Sequence, residues 1–180
     1  MIKVINNVLD TDVNKRYQRQ LLDNRFPWFV VKDIAGHIED ENNPPDLLQY
    51  GLSHYFWAPE KNVHSNFTWR FLPVLYEAAK REGIEVDTLL TMRSFFHPPS
   101  TQPGLLNGIH IDLPFPHMVC LYYVTDSDGD TVFFDDNDKE IFRQTPKKNT
   151  AVIFDGSIRH CSSTPSCHRV ILNFDFTVAL

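Results

Sequence analysis

Cysteine is scarce in this chain of 180 residues: there are three, Cys120, Cys161 and Cys167, and none belongs to a Cys-x-x-Cys pair. The fold therefore has no disulfide framework or zinc knuckle to lean on, and the thiols read as reduced. A Cys161–Cys167 bridge across a short loop is the minor alternative. Glycine is sparse too, at seven residues, and the twelve prolines are spread along the chain, so no low-complexity block interrupts it. There is no run of about 18 apolar residues, which excludes a helical membrane span. Positive charge is also short: 17 Lys and Arg against 23 Asp and Glu give a formal charge of -6. The basic residues are scattered, with Lys147-Lys148 the close pair, whereas a chain that grips phosphate backbones gathers them in a stripe. Long nucleic acid is thus an unlikely partner. The opening Met1-Ile-Lys-Val-Ile-Asn-Asn-Val has neither the apolar stretch nor the cleavage site of a signal peptide, so a cytoplasmic protein is expected.

What the chain does have is apolar bulk, with fourteen Phe, three Trp and 42% hydrophobic residues. That supply suits one core, and a single domain spanning 1–180 is expected, with 1–85 as mixed α/β support and 86–180 as its β core. In the first part, 27–34 reads as a strand and 39–46, with Pro44-Pro45, as an exposed loop. Residues 67–81 read as a helix, because Phe67, Phe71, Leu75, Ala78 and Ala79 share a face and Gly83 follows as a stop. Pro73 requires that helix to start late or kink.

From Val86 onward the texture changes to short apolar segments of strand length: 86–96, 107–111, 118–125, 131–134, 140–143, 149–154 and 169–178. Turn clusters at Asp126-Ser-Asp-Gly-Asp, Asp135-Asp-Asn-Asp and Asp155-Gly-Ser divide them. Successive strands without intervening helices point to an antiparallel sandwich or a jelly roll. In the last strand, Val170, Leu172, Phe174 and Phe176 fall on one face, and Arg169, Ile171, Asn173 and Asp175 on the other. That second face is unusually polar, as a strand lining a wet, charged cavity would be.

Chemistry concentrates at His110-Ile-Asp112. Residues two apart in an extended segment point the same way, so both can reach one metal ion. Two imidazoles and one carboxylate on a single face leave three open positions, the arrangement of non-haem Fe(II) oxygenases. His160, inside Phe-Asp-Gly-Ser-Ile-Arg-His, is the candidate second histidine. Nine residues later stands Arg169, suited to grip the far carboxylate of an iron-chelating oxoacid with both arms of its guanidinium. Each of these residues alone has a bland reading, since His-x-Asp is a weak signal and His37-Ile-Glu39 is a chance near-miss. Their joint order is what carries weight. Asp126-Ser-Asp-Gly-Asp-Thr has Thr131 and Asn137 where a calcium loop needs glycine and glutamate, so it reads as a turn. His117 and His168 are set aside as ligands, and His97-Pro-Pro reads as an exposed loop.

These residues resemble the Fe(II)/2-oxoglutarate-dependent dioxygenases, closest to the prolyl-4-hydroxylase-like subgroup and similar to short phage-encoded members. The resemblance runs from about Arg93 to Phe176. It rests on His110-Ile-Asp112, Cys120-Leu-Tyr-Tyr-Val, Gly129-Asp-Thr-Val-Phe-Phe, Pro146-Lys-Lys-Asn-Thr-Ala-Val-Ile-Phe-Asp-Gly, His160 and Arg169. It implies a mainly β fold, a double-stranded β-helix (jelly roll, cupin-like) with a few flanking N-terminal helices. It further implies Fe(II), with 2-oxoglutarate and O2 as co-substrates, and hydroxylation of a small molecule or a protein side chain. Within the subgroup, Tyr123 would donate its hydroxyl to the far carboxylate, Leu121 and Val119 would line the same pocket, and Asn173 would face the cofactor. The subgroup carries a tyrosine-rich stretch before His-x-Asp; here that region is Arg93-Ser-Phe-Phe-His-Pro-Pro, so proline is not indicated as the substrate. Two rival readings fit the strands: a cupin-like metal oxygenase that needs no oxoacid, and a non-catalytic jelly-roll binding module.

Overall fold

The computed structural model describes residues 1–32 and 50–179; His37-Ile-Glu39, the 39–46 loop and the end of the 27–34 strand lie outside them. The chain runs β1 (Ile2–Asn6), α1 (Thr11–Leu21), β2 (Phe29–Val31), β3 (Gly51–Ala58), β4 (Val63–His64), α2 (Thr68–Phe71) and α3 (Pro73–Arg81). Seven strands follow: β5 (Val86–His97), β6 (Met118–Tyr123), β7 (Thr131–Phe134), β8 (Glu140–Gln144), β9 (Thr150–Asp155), β10 (Arg159–Ser162) and β11 (Arg169–Val178). The larger sheet is ordered β1-β9-β6-β11-β5-β3-β2, with β4 on β3, and the smaller β10-β7-β8. Every pairing is antiparallel. No helix among the described residues is long and apolar enough to cross a membrane.

Alternation along the central strands builds two apolar layers from one sheet. Cys120, Tyr122, Ala151, Ile153, Val170, Leu172, Phe174 and Phe176 face the helices, where they meet Leu21, Phe71, Val74, Leu75, Ala78 and Ala79. Their neighbours Val119, Leu121, Tyr123, Val152, Phe154 and Ile171 face the small sheet and pack with Phe133. The mainly β, jelly-roll expectation is met: two antiparallel sheets enclose the second layer, with helices flanking the outer face.

The expected helix at 67–81 is two helices meeting at Leu72. Pro73 takes the first position of α3, where its missing N–H costs nothing. Gly83 follows at φ +66°, a left-handed stop. Helix α1 escaped the sequence reading, although Asp10 signals it: the side chain accepts from the Asp12 and Val13 backbone N–H groups, satisfying two otherwise orphaned donors. The 107–111 strand is a correction. Within that segment only His110 forms a β-bridge, to His160 of β10, while the adjoining Leu106 bridges Ser163. Residues 159–162, absent from the expected strands, form β10. All three cysteines are free.

Asn149 joins the two halves of the chain. Its φ of +63° is a left-handed conformation that asparagine tolerates. The side chain accepts from Leu9 N at 2.9 Å and the Tyr122 hydroxyl at 3.1 Å, and it donates to Leu9 O at 2.8 Å. Asn149→Ala removes three buried bonds and leaves partners unsatisfied. It is expected to cost about 3 kcal/mol in urea unfolding, with metal affinity of the folded fraction unchanged.

Candidate metal and oxoacid site

A pair of backbone hydrogen bonds brings the two histidines together. His110 N donates to His160 O and His160 N to His110 O, each at 2.9 Å, so the residues sit directly opposite one another. Their rings are 4.7 Å apart, centroid to centroid. β10 supplies the fixed side of the pair, since His160 is in register with Phe133 of β7. The loop carrying His110 is sewn to the end of β10 by Asn107 N to Ser162 O and to the chain just beyond it by Thr164 N to Leu105 O.

Asp112 completes the group. Ligand-capable atoms of His110, Asp112 and His160 all lie within 4.8 Å of one another, and this is the one such cluster among the described residues. Each imidazole has its Nδ1 beside a backbone carbonyl: His110 to Gly108 O at 2.9 Å, His160 to Ile158 O at 3.1 Å. Nδ1 is thereby the protonated nitrogen, and Nε2 is left with its lone pair free for a cation. His160 Nε2 lies 3.6 Å from Asp112 Oδ2. Burial holds the His160 imidazole down at about 4. Burial also pushes the Asp112 carboxyl up, but Arg93, His160 and His110 outweigh it and leave the group at about 2. A neutral imidazole and an ionised carboxylate are the forms that ligate a metal. The donor set fits a hard-to-borderline divalent ion with open positions.

These three residues open onto a cavity of about 220 Å³, also lined by Leu121, Thr131, Arg169, Ile171 and Asn173. That is below the roughly 300–1,000 Å³ of sites for drug-sized ligands, so whatever it encloses is small. Arg169 is 2% exposed, and among the described residues no carboxylate lies within ion-pair distance of it. Its Nη2 donates to Thr131 Oγ1 at 2.9 Å, while its Nε has no partner. Burial pulls its pKa below the ordinary arginine value. Gly129 makes room for its stem: a β-carbon there would stand 3.0 Å from Arg169 Cδ and 2.9 Å from Ser163 O.

Tyr123 is fully buried beneath this floor, and burial drives its hydroxyl pKa up to about 12. The hydroxyl donates to Thr131 Oγ1 at 2.9 Å, so tyrosine and arginine meet on one threonine. Thr131 was missed by the sequence reading. With both lone pairs engaged, its own O–H is left to donate. Leu121 lines the cavity, whereas Val119 packs in the layer between the sheets. Asn173 lines it too and donates Nδ2 to Asp112 Oδ2 at 3.3 Å.

Two histidines stand apart from the cluster. The His117 ring lies over Gly156, where a β-carbon would come within 2.2 Å of Nε2, and its Nδ1 sits 2.7 Å from Phe115 O. His168 stacks on Phe96, on the opposite strand face from Arg169. The expectation for His97 was wrong. It closes β5 in register with Arg169, is 5% exposed and lines the cavity, and its Nδ1 has no partner. The strand outlasts its apolar run by one residue because Arg169 pairs with it, which the following Pro-Pro masks in the sequence.

No protein-family model matches the sequence, and no curated protein matches it. Among solved structures, the fold is similar to a 2OG-Fe(II) oxygenase family oxidoreductase from Burkholderia pseudomallei, at 12% identity and TM-score 0.68, covering 98% of this chain and 85% of that one. It is similar to a Pseudomonas putida prolyl-4-hydroxylase at 11% identity and TM-score 0.61, covering 99% and 93%. It is also similar to SnoN, the non-heme alpha ketoglutarate dependent epimerase of nogalamycin biosynthesis, at 14% identity and TM-score 0.62, covering 98% and 77%. The fold is that of 2-oxoglutarate/Fe(II) oxygenases.

Burial dictates how the metal-free protein answers to acid. His97 is held well below the usual histidine range by burial and by Arg169, and His54 and His160 are lowered chiefly by burial. The unfolded chain takes up protons near 6.5 that these folded imidazoles refuse, so stability is lost as pH falls below that value. Asp175, raised by burial and Asp112 to about 6, takes its proton early when folded and offsets part of the loss below that pH. Urea unfolding of metal-free protein is expected to weaken from pH 7 to pH 5, and His97→Gln to flatten that decline. Equal slopes in variant and wild type would mean His97 is not buried as the neutral form.

Proposed function

We propose that this chain is an Fe(II)- and 2-oxoglutarate-dependent dioxygenase, with residues 1–180 acting as one oxygenase domain. The observation that carries the reading is Arg169, a buried cation with no carboxylate at ion-pair distance among the described residues, in the same small cavity as a two-histidine, one-carboxylate cluster. An uncompensated buried charge is costly, so a site that keeps one is built for an anion that arrives from outside. The fold supports the same reading.

His110, Asp112 and His160 would hold the iron, the histidines through the Nε2 atoms that their carbonyl bonds leave free. Arg169 would grip the far carboxylate of 2-oxoglutarate, with the Thr131 hydroxyl as a further donor and Tyr123 holding that hydroxyl from behind. Leu121 and Ile171 supply an apolar wall that keeps water from the oxoacid chain. Iron and oxoacid together supply the oxidation: O2 and 2-oxoglutarate are consumed, succinate and CO2 released, and a substrate C–H bond hydroxylated. The protein's share is positioning and a dry cavity. A cavity this small leaves the substrate, a small molecule or one side chain of a protein, to approach from the mouth, where Ile111 is 42% exposed.

Anaerobic addition of Fe(II) and then 2-oxoglutarate is expected to raise the iron-to-oxoacid charge-transfer absorption, and His160→Ala to abolish it. Asp112→Ala should end succinate formation. Arg169→Ala should raise the oxoacid requirement by roughly 10- to 100-fold, the loss of a charge-assisted pair of bonds, with iron binding kept. Iron bound without the band would favour an oxoacid-independent cupin-like oxygenase; no iron binding would leave a jelly-roll binding module.

A further inference from the structure

Arg93 was passed over in the sequence, yet it touches the candidate metal cluster directly. Its Nη2 donates to Asp112 Oδ1 at 2.8 Å and to Asp175 Oδ2 at 3.1 Å. Asp112 Oδ2, the other oxygen, is the one 3.6 Å from His160 Nε2. The carboxylate is thus split, with Oδ1 held by the guanidinium and Oδ2, which also accepts from Asn173 Nδ2 at 3.3 Å, turned to His160. The clamp is built on rigid strands. Arg93 and Thr91 alternate on β5 opposite Asn173 and Asp175 of β11, in the register Arg93–Asn173 and Thr91–Asp175. The Thr91 hydroxyl bonds Asp175 Oδ2, and Asp175 is wholly buried, so the far end of the clamp cannot swing.

We infer that Arg93 is a positioning residue that restricts Asp112 to a single metal-binding oxygen. The inference rests on the oxygenase reading above for its consequence. A carboxylate with both oxygens free can bind a cation with either one or two. Two imidazoles and a two-toothed carboxylate would fill four of six positions, leaving two. An oxoacid chelate needs two and O2 a third, so the full reaction requires the one-toothed form. Both bonds leave from Nη2, whose two N–H groups are fixed in the guanidinium plane; lysine in place of Arg93 would keep the charge but replace that fixed pair with a freely rotating ammonium.

The test uses full-length protein under anaerobic conditions, wild type beside Arg93→Met, Arg93→Lys and Thr91→Val. Each is loaded with Fe(II), assayed for retained iron, and titrated with 2-oxoglutarate by the charge-transfer band. Arg93→Met is expected to keep iron and require roughly 10- to 100-fold more oxoacid, the scale of lost outer-shell contacts at metal sites. Arg93→Lys should stay impaired. An Arg93→Met protein that titrates like wild type overturns the inference, as does full recovery in Arg93→Lys, which would reduce Arg93 to a counter-charge. Should Arg93→Met fail to fold, Thr91→Val decides: a several-fold weaker oxoacid response supports the clamp, and none overturns it. Cobalt(II) spectra without oxoacid separate this from the oxygenase reading. A higher coordination number in Arg93→Met supports the clamp even if wild type shows no charge-transfer band; identical spectra overturn it.

Discussion

The two-residue period of β11 sets the constraint on which the rest of the molecule depends. A central strand cannot choose its faces residue by residue. Val170, Leu172, Phe174 and Phe176 must enter the helix-side core together, and Arg169, Ile171, Asn173 and Asp175 must then turn the other way together. Burying the first set commits the second to the interior between the sheets, where two ionisable side chains demand partners. Asp175 finds Thr91 and Arg93; Arg169 finds Thr131 and, among the described residues, no carboxylate at ion-pair distance. A strand anchored by hydrophobic packing thereby holds charged groups in place that could not anchor themselves.

The same economy shapes the cluster at the mouth. His110 and His160 are fifty residues apart in the chain, but their reciprocal backbone bonds make them neighbours. Carbonyls of Gly108 and Ile158 settle which nitrogen carries the proton, and Arg93 and Asn173 settle the carboxylate. The site is organised by groups outside the set that would hold the metal.

Much of this was legible in the residues because it follows from short-range rules. Strand boundaries at 131–134 and 169–178, the break at Pro73 and the parity of β11 need only alternation and steric limits. The grouping of His110, Asp112, His160 and Arg169 on one cavity was readable as an ordered pattern. What was hidden depends on pairing across the chain. His97 looked exposed because Pro98 and Pro99 signal a loop, and only its register with Arg169 keeps it inside. Arg93 and Thr131 carry no motif; their roles arise from what β11 and β7 place beside them. The 107–111 segment has strand composition, but among the described residues its one bridge is His110–His160. Helix α1 was readable, through Asp10 and the spacing of Val13, Tyr17 and Leu21, and was overlooked.

Gly129 leaves the chain little evolutionary latitude. It contributes no charge, no bond from a side chain and no apolar area, yet a β-carbon there would press on both the Ser163 carbonyl and the Arg169 stem. Drift at Gly129 asks the backbone at Ser163 or the arginine itself to give way. A residue with no chemistry of its own thus constrains the cation of the cavity floor as firmly as a bond would.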